Sequence, residues 1–309
     1  MIQFVPAVDL LFEAVAGKGH VCVGLDTAAD YVPPSERRKA DNDSEAVLAF
    51  NKALIDATLD AAACYKVQIA YYEEMGKAGL CAYSETLKYI RAKGGIVIAD
   101  IKRGDIADTA VRYAKAHFAG DFEADFVTLS PYMGMDSIQP WLSEAQTRGK
   151  GAFVLMRTSN PGMRDFEYLE LTSGKRLYHA VGDKLSSLAQ ECAGKNGYGL
   201  FGAVIGCTQR DEAAEIRKNY PSLFFLIPGY GAQGGGAQDA VLLLRNGNGG
   251  VVNASRSIIT AWKQTSGELE KADNALAAQA AREATVKMRD EILHEISSRK
   301  DAKDQRTQS

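Results

Sequence analysis

Most of what this sequence predicts follows from the stretch Ile96-Val-Ile-Ala-Asp-Ile-Lys-Arg-Gly-Asp105. Its first half is apolar and β-branched, which predicts a buried strand. Asp100 and Lys102 come where that strand must end, and on an extended chain they point to the same face, roughly 6.6 Å apart. Gly104 then allows a turn, and Asp105 lies in the loop that follows. A surface ion pair is one interpretation, but a strand this apolar is not an edge strand. We therefore expect these charges at the mouth of a core, where charges usually serve a function.

The composition narrows the class of protein. Of the 309 residues, 46% are hydrophobic and 24% are charged, which is typical of a globular protein with a full core. A net charge of −3 does not indicate a nucleic-acid or membrane-surface partner. No apolar run approaches the ~20 residues of a membrane span and no signal peptide is evident, so we expect a cytoplasmic protein. The five widely spaced cysteines are predicted to be reduced thiols, and the sequence shows no cluster of metal ligands.

Apolar runs recur along the whole chain with helical stretches between them. Eight runs are predicted to be strands: 21–26, 61–68, 96–102, 125–130, 152–157, 202–206, 223–227 and 250–253. Seven stretches with apolar residues three and four apart are predicted helices: 44–59, 83–93, 109–118, 138–148, 177–193, 209–219 and 238–245. Strands that are apolar throughout and alternate with helices imply a parallel sheet covered on both sides. The count of eight, the absence of an early G-x-G-x-x-G and the polar strand ends favour an α/β fold of the (β/α)8 TIM barrel type over a doubly wound open sheet.

The barrel is predicted to form a single domain that spans residues 1–309. Its core covers about 20–265, and the remaining parts are a helix at about 4–17 across the barrel bottom, a polar loop at 160–176, a closing helix at about 269–298 and a frayed tail at 299–309.

The carboxyl ends of the strands build the active site in a barrel of this kind. In chain order, the polar residues at these ends are Asp26, Lys66, Asp100, Lys102, Asp105, Ser159, Gln233 and Arg256. Any one of them is compatible with a structural salt bridge, but charges from three different strands at one end are hard to explain as scaffold alone. They include no Ser–His pair, no cysteine with a base and no set of metal ligands.

The ends of the last two strands carry a more specific signal. The loop Pro228-Gly-Tyr-Gly-Ala-Gln-Gly-Gly-Gly236 is rich in glycine, so its amides can approach an anion closely. Arg256 follows the eighth strand, and a guanidinium can hold a phosphate by two parallel hydrogen bonds. Because barrels of this class commonly bind phosphate at these two loops, we expect a phosphate site here.

These motifs together resemble the orotidine 5′-monophosphate decarboxylase family, in particular its longer bacterial branch. The resemblance runs from about residue 21 to 259 and rests on Asp100-Ile-Lys102-Arg-Gly-Asp105-Ile-Ala-Asp-Thr109, Leu25-Asp26, Tyr65-Lys66, Ser159-Asn-Pro161, Pro228-Gly-Tyr-Gly-Ala-Gln233 and Ser255-Arg256. Sugar-phosphate synthases and decarboxylases of the same superfamily share the D-x-K-x-x-D core. The Gly-Ala-Gln and Ser-Arg motifs in the same order make the resemblance specific.

The resemblance implies a decarboxylase without a cofactor that converts orotidine monophosphate to uridine monophosphate in pyrimidine synthesis. Lys102 is implied as the proton donor to C6 and Asp100 as the neighbour of the substrate carboxylate. Asp26 and Lys66 are implied to contact the ribose, and Ser159 is implied to contact the pyrimidine ring. The implied phosphate contacts are Gln233, Arg256 and Tyr230. Asp105 and Thr109 are implied to reach into the active site of the partner subunit in a homodimer.

The residue types suit this chemistry, although alternatives stay open. Loss of CO2 leaves a carbanion that needs a fixed cation, and Lys102 is flanked by two carboxylates that favour its ammonium form. A Mg2+-dependent sugar-phosphate synthase or decarboxylase would need another acid in place of Lys66. A Schiff-base aldolase would need a lysine without flanking carboxylates. A barrel that only binds nucleotides would need the phosphate loops but not the Asp–Lys array.

Overall fold

The computed structural model describes residues 4–231, 234–265 and 269–307, without the side chains of 303–307. Within these residues eight strands form: β1 (Val21–Leu25), β2 (Cys64–Gln68), β3 (Val97–Arg103), β4 (Phe126–Leu129), β5 (Gly151–Arg157), β6 (Phe201–Ile205), β7 (Phe225–Ile227) and β8 (Gly250–Ala254). They coincide with the eight predicted apolar runs, because strands covered on both faces need apolar side chains throughout.

The described part of the chain also contains fourteen α-helices: α1 (Ala7–Lys18), α2 (Pro34–Arg37), α3 (Asp43–Thr58), α4 (Ala70–Glu73), α5 (Gly76–Ala92), α6 (Ala107–Phe118), α7 (Gln139–Arg148), α8 (Met163–Phe166), α9 (Leu177–Glu191), α10 (Arg210–Asn219), α11 (Ala237–Ala240), α12 (Arg256–Ile259), α13 (Trp262–Thr265) and α14 (Asn274–Thr307). None of the helices in the described part of the chain combines the length and apolar character that crossing a bilayer requires.

The strands close into a barrel in which each pairs in parallel with its neighbours in sequence. The closing pair joins β8 to β1, with Val21 opposite Val252 and Val23 opposite Ala254. The predicted (β/α)8 barrel is therefore confirmed, and the doubly wound alternative is wrong. Since all carboxyl ends of a parallel barrel lie on one face, the polar residues that end the strands are brought together there.

Helix α1 covers the opposite, amino-terminal face of the barrel. Its Ala7 amide donates to the carbonyl of Gly149, just before β5, at 2.7 Å. Its buried Asp9 accepts hydrogen bonds from the amides of Lys195 and Asn196, which precede β6, at 3.0 and 3.2 Å. These contacts compensate for burying a carboxylate, which otherwise destabilises a fold.

Helix α14 packs along the outside of the barrel and is longer than predicted. Its Arg282 pairs with Asp60 at 2.6 Å, after α3. The helix continues through 299–307, where the sequence predicted a frayed tail. Glycine and proline are absent from 274–307, and an Arg299–Glu295 pair at 2.9 Å spans one helical turn, so nothing in the sequence stops the helix at 298.

Candidate active site

A cavity of about 490 Å³ opens at the carboxyl ends of the strands. Residues that end all eight strands contribute to its wall, as expected for a barrel of this type. The predicted residues among them are Asp26, Lys66, Asp100, Lys102, Ser159, Tyr230 and Arg256. These residues come from widely separated parts of the sequence, so the fold brings most of the predicted site together.

The centre of the cavity is a chain of alternating charges. The Lys66 ammonium lies 3.0 Å from a carboxylate oxygen of Asp26 and 2.8 Å from one of Asp100. The Lys102 ammonium lies 2.6 Å from the other oxygen of Asp100. The second oxygen of Asp26 accepts a hydrogen bond from the Ser255 hydroxyl at 2.9 Å. Side chains in or directly after β1, β2, β3 and β8 are thereby joined in one network.

Asp100 is the most fully bonded member of this network. Its Oδ2 accepts from Lys66 and from the Gln68 amide at 3.0 Å, while its Oδ1 accepts from Lys102 and from the Thr128 hydroxyl at 2.8 Å. Four donors, two of them cations, surround a carboxylate that is only 5% exposed. Such bonding fixes the carboxylate in orientation and keeps it charged despite its burial.

The ionisation of this cluster follows from burial and charge together. Burial by itself raises the pKa of Asp100, but the ammonium groups of Lys66 and Lys102 outweigh it and hold that pKa well below its usual range. Burial likewise lowers the pKa of Lys66, but the carboxylates of Asp100 and Asp26 outweigh it and raise the pKa above the ordinary value for lysine. The site therefore holds fixed charges of both signs at neutral pH.

The backbone at Lys102 departs from a regular strand. Residues 100–102 of β3 stand opposite the single residue Thr128 of β4, because Ala99 pairs with Val127 and Arg103 with Leu129. Lys102 has a φ of 45°, a left-handed conformation that is rare for a residue with a side chain. The prediction that Asp100 and Lys102 share a face is confirmed, but the extended backbone from which it was argued is wrong: a bulge brings the two side chains together.

Thr128 holds this bulge in place. Its hydroxyl oxygen accepts hydrogen bonds from the amides of Ile101 and Lys102, both at 3.0 Å, and donates to Asp100. One buried hydroxyl thus connects the strained backbone of Lys102 to the carboxylate that its ammonium binds. Strained residues of this kind are found at functional sites where the surroundings force the conformation.

The glycine-rich loop and α12 form the other wall of the cavity. Pro228, Gly229 and Tyr230 line the cavity, and Arg256 lines it as the first residue of α12. Gln233, the other predicted phosphate ligand, lies outside the described residues. The cavity therefore has the Asp–Lys cluster at one side and a guanidinium beside a glycine-rich loop at another, which suits an elongated phosphorylated molecule.

Two predicted residues do not join the cavity. Asp105 and Thr109 lie in the loop after β3 and in α6, and neither belongs to the cavity wall. The Asp105 carboxylate accepts a hydrogen bond from the amide of Ile106, and Thr109 is exposed to solvent. Within one chain, the Asp–Lys array therefore contains Asp26, Lys66, Asp100 and Lys102 but not Asp105.

Several polar residues of the cavity were given no role from the sequence, although Asn160 and Ser255 belong to the motifs that carry the resemblance. They are Gln68, Thr128, Thr158, Asn160, Asn253 and Ser255. A signal existed for Gln68, which lies two residues after Lys66 and hence on the same side of β2. Thr128 carried none, because its role depends on the bulge that places it against Lys102. Among the described residues, no group of three or more His, Cys, Asp or Glu side chains is arranged to hold a metal ion.

Comparison with known proteins identifies the family. The sequence profile of the orotidine 5′-phosphate decarboxylase / HUMPS family matches residues 19–271, which include all eight strands. This chain belongs to that family. The family predicted from the motifs is thus confirmed, and within the family the chain is similar to curated decarboxylases over nearly its whole length.

Two relatives and one solved structure show how similar the chain is to orotidine 5′-phosphate decarboxylases over nearly its whole length. The orotidine 5′-phosphate decarboxylase of Clostridium perfringens (strain SM101 / Type A) is 54% identical over 93% of this chain and 98% of its own. That of Clostridium tetani is 51% identical over 94% and 99%. The solved structure of Leishmania donovani OMP decarboxylase is 33% identical and superposes with a TM-score of 0.70, covering 92% of this chain and 99% of that one.

Proposed function

We propose that this chain removes CO2 from orotidine 5′-phosphate to give UMP, the reaction for which its relatives are named. The observation that carries the proposal is the Asp100 carboxylate held between the ammonium groups of Lys66 and Lys102, in the same cavity as Arg256 and the glycine-rich loop. Orotidine 5′-phosphate has a phosphate at one end and a ring that carries a carboxylate at the other, and both ends find charged side chains in this cavity. The reaction belongs to pyrimidine synthesis, and we propose a cytoplasmic location for it.

In this proposal the phosphate binds between Arg256 and the loop 228–236. The ribose then lies beside Asp26 and Lys66, and the pyrimidine lies against Ser159, all of which line the cavity. Gln233 is proposed as a further phosphate ligand. This orientation leaves the C6 carboxylate next to Asp100 and Lys102, where the charges can act on the reaction.

The chemistry follows from the charges. The bond from C6 to the carboxylate breaks, CO2 departs, and the electron pair stays on C6. The Lys102 ammonium stabilises this developing anion and then transfers a proton to C6. The Lys102 side chain is 45% exposed, so the amine can regain its proton from water. Because Asp100 and the bulge fix the ammonium in advance, no reorganisation is needed during the step.

Asp100 contributes by position and by charge. A substrate carboxylate at ~4 Å from Asp100 would be repelled by about 4 kcal/mol at an effective dielectric of about 20, and this repulsion vanishes as neutral CO2 leaves. The four donors to Asp100 keep it ionised against the approach of a second carboxylate. Binding of the distant phosphate offsets the repulsion in the bound complex.

We also propose that the active form is a homodimer to which Asp105 and Thr109 contribute across the interface. Three large apolar side chains in the loops after β3 and β4 are exposed in a single chain: Ile106 at 44%, Tyr132 at 82% and Met133 at 48%. The Ser130 amide bonds to the Arg103 carbonyl at 2.8 Å, so these loops are adjacent. Apolar side chains exposed together favour a protein partner, and Asp105 and Thr109 lie in the same region.

The test is the loss of absorbance when purified protein is mixed with orotidine 5′-phosphate in the presence of EDTA. We expect turnover in EDTA, and its absence there with recovery on addition of Mg2+ would favour the metal-dependent branch of the superfamily. We expect Lys102→Ala to abolish turnover while UMP still binds measurably. Unchanged turnover in that variant would contradict the role of Lys102 as the proton donor.

A further inference from the structure

Tyr230 separates the active-site cavity from a groove on the outside of the barrel. Tyr230 lines both the cavity and the groove, and the groove lies between α12, α13 and the long helix α14. Its hydroxyl does not end in the cavity. It donates a hydrogen bond of 2.6 Å to the Glu291 carboxylate of α14. A residue at the phosphate wall is therefore tied to a helix that has no place in the chemistry described above.

Tyr230 lies between backbone hydrogen bonds at the base of the glycine-rich loop. The Gly231 amide donates to the Gly235 carbonyl at 2.9 Å, and the Gly235 amide donates to the Gly229 carbonyl at 3.1 Å. Tyr230 itself pairs with Gly235 as an isolated β-bridge. Because Gly235 is hydrogen-bonded to the residues on either side of Tyr230, a displacement of Tyr230 would also displace Gly235.

The same helix also holds the elements that flank this loop. Arg299 of α14 donates to the Gln238 carbonyl of α11 at 3.3 Å, just after the loop. Helix α14 packs against α12, which begins at Arg256, and against α11. The long helix therefore contacts the glycine-rich loop, through the bond between Tyr230 and Glu291, and also α12, whose first residue is Arg256.

The charge of Glu291 argues against a direct role in binding. A carboxylate near a phosphate site repels the ligand, so it lowers affinity unless it contributes in another way. A hydrogen bond from a tyrosine hydroxyl to a carboxylate is charge-assisted and short, as this one is. Burial first, and then the hydrogen bond to Glu291 and its charge, raise the pKa of Tyr230, so the hydroxyl keeps its proton and remains the donor.

We propose that Glu291 is a positioning residue that fixes Tyr230 and, through it, the phosphate-binding loop. Helix α14 then supports the phosphate-binding loop from outside the barrel. The inference rests on the proposed function, because it assumes that the loop 228–236 binds the phosphate of the substrate.

The test compares ligands with and without a phosphate. Tyr230→Phe removes the donor and Glu291→Ala removes the acceptor. We expect each to raise KM for orotidine 5′-phosphate and Ki for UMP by about 3- to 10-fold, as loss of one positioning hydrogen bond implies. We expect kcat and the Ki of uridine, which lacks the phosphate, to change by less than about twofold, because the bond acts on the phosphate loop alone. The double variant should show no larger effect than either single variant, because both remove the same bond.

Two further variants separate positioning from other effects. Glu291→Gln keeps an acceptor and removes the charge, so it should retain the KM of the wild type if position matters. Tighter UMP binding in both Glu291→Gln and Glu291→Ala would overturn the proposal, because it would mean that Glu291 acts only by repulsion. Glu283→Gln is the matched control. Glu283 lines the same groove from α14, but its carboxylate accepts a hydrogen bond from the Gln279 amide of its own helix, so the Glu283→Gln substitution should leave KM unchanged.

The outcomes for the inference and for the proposed function are distinguishable. Unchanged KM and UMP affinity in Tyr230→Phe and Glu291→Ala, or equal weakening of UMP and uridine, would overturn the positioning role while the wild type remains active. A wild type that does not turn over orotidine 5′-phosphate would instead refute the proposed function. Melting temperatures of all variants establish that the compared proteins are folded.

Discussion

Replacing Thr128 with valine should slow the reaction sharply and destabilise the fold, although valine has nearly the same shape as threonine. The buried Thr128 hydroxyl donates to Asp100 at 2.8 Å and accepts from the amides of Ile101 and Lys102 at 3.0 Å each. Valine removes all three bonds without opening a cavity. The variant therefore reports on the hydroxyl alone.

The magnitude follows from these bonds. A hydrogen bond to a charged group contributes about 1.5–3 kcal/mol, and a buried amide without an acceptor costs about 1–3 kcal/mol. The left-handed backbone of Lys102 adds about 1–3 kcal/mol of strain, which is released once the amides are freed. These terms partly cancel, and we expect the free energy of unfolding to fall by about 3 kcal/mol. The ammonium would then lose its fixed position, and a displacement near 1 Å lowers kcat by about 100-fold.

Steady-state kinetics and urea denaturation measure the two effects. KM should change little, because the phosphate contacts lie on the other wall of the cavity. Thr128→Ser keeps the hydroxyl and should restore most of kcat, which a general loss of packing would not allow. A Thr128→Val enzyme with kcat within about threefold of the wild type would refute the argument that this hydroxyl positions Lys102.

Three further predictions use other parts of the chain. Arg256→Ala should raise KM for orotidine 5′-phosphate by about 10- to 100-fold, as loss of a charge-assisted phosphate contact implies, and an unchanged KM would remove Arg256 from the phosphate site. Inactive Lys102→Ala and Asp105→Ala subunits, when mixed, should recover activity through one complete site per heterodimer; no recovery would contradict a shared site. His20 and His117 are buried, and burial lowers the pKa of each from 6.5 to about 4. Both histidines bind protons more readily when unfolded, so the free energy of unfolding should fall as pH falls from 6.5 towards 4, by about 2 kcal/mol per histidine at pH 5. A flat pH dependence over that range in urea titrations would contradict the neutral, buried state of these rings.

The fold was predictable because its signal is local and repeated. Each strand is an apolar run, most of the runs are followed by a polar residue, and the barrel follows from the number of such runs. The same logic placed Asp26, Lys66 and Asp100 together, since residues at the carboxyl ends of parallel strands meet. The place of these residues at the ends of predicted strands was therefore enough to predict that they lie close together, although their side-chain contacts could not be predicted.

The parts that escaped prediction depend on contacts between distant segments. The bulge at Lys102 arises from the register between β3 and β4, which no pattern within β3 encodes. The loop after β5 is similar, because its Glu167 accepts hydrogen bonds from the Thr158 amide at 2.8 Å and from its hydroxyl at 2.7 Å. The sequence of this polar loop does not show which of its carboxylates folds back and binds Thr158 at the edge of the cavity.

The pairing of β1 with β8 has a consequence for how the protein is made. Val21 of β1 cannot pair with Val252 of β8 until Val252 has been synthesised, 231 residues later. At about 5–20 residues per second, the first strand spends roughly 10–50 s without one of its two neighbours. During that time its unpaired edge is exposed to aggregation, so folding in the cell should benefit from chaperones that cover nascent strands. Glu291 is synthesised later still, and the support for the phosphate loop is among the last contacts to form.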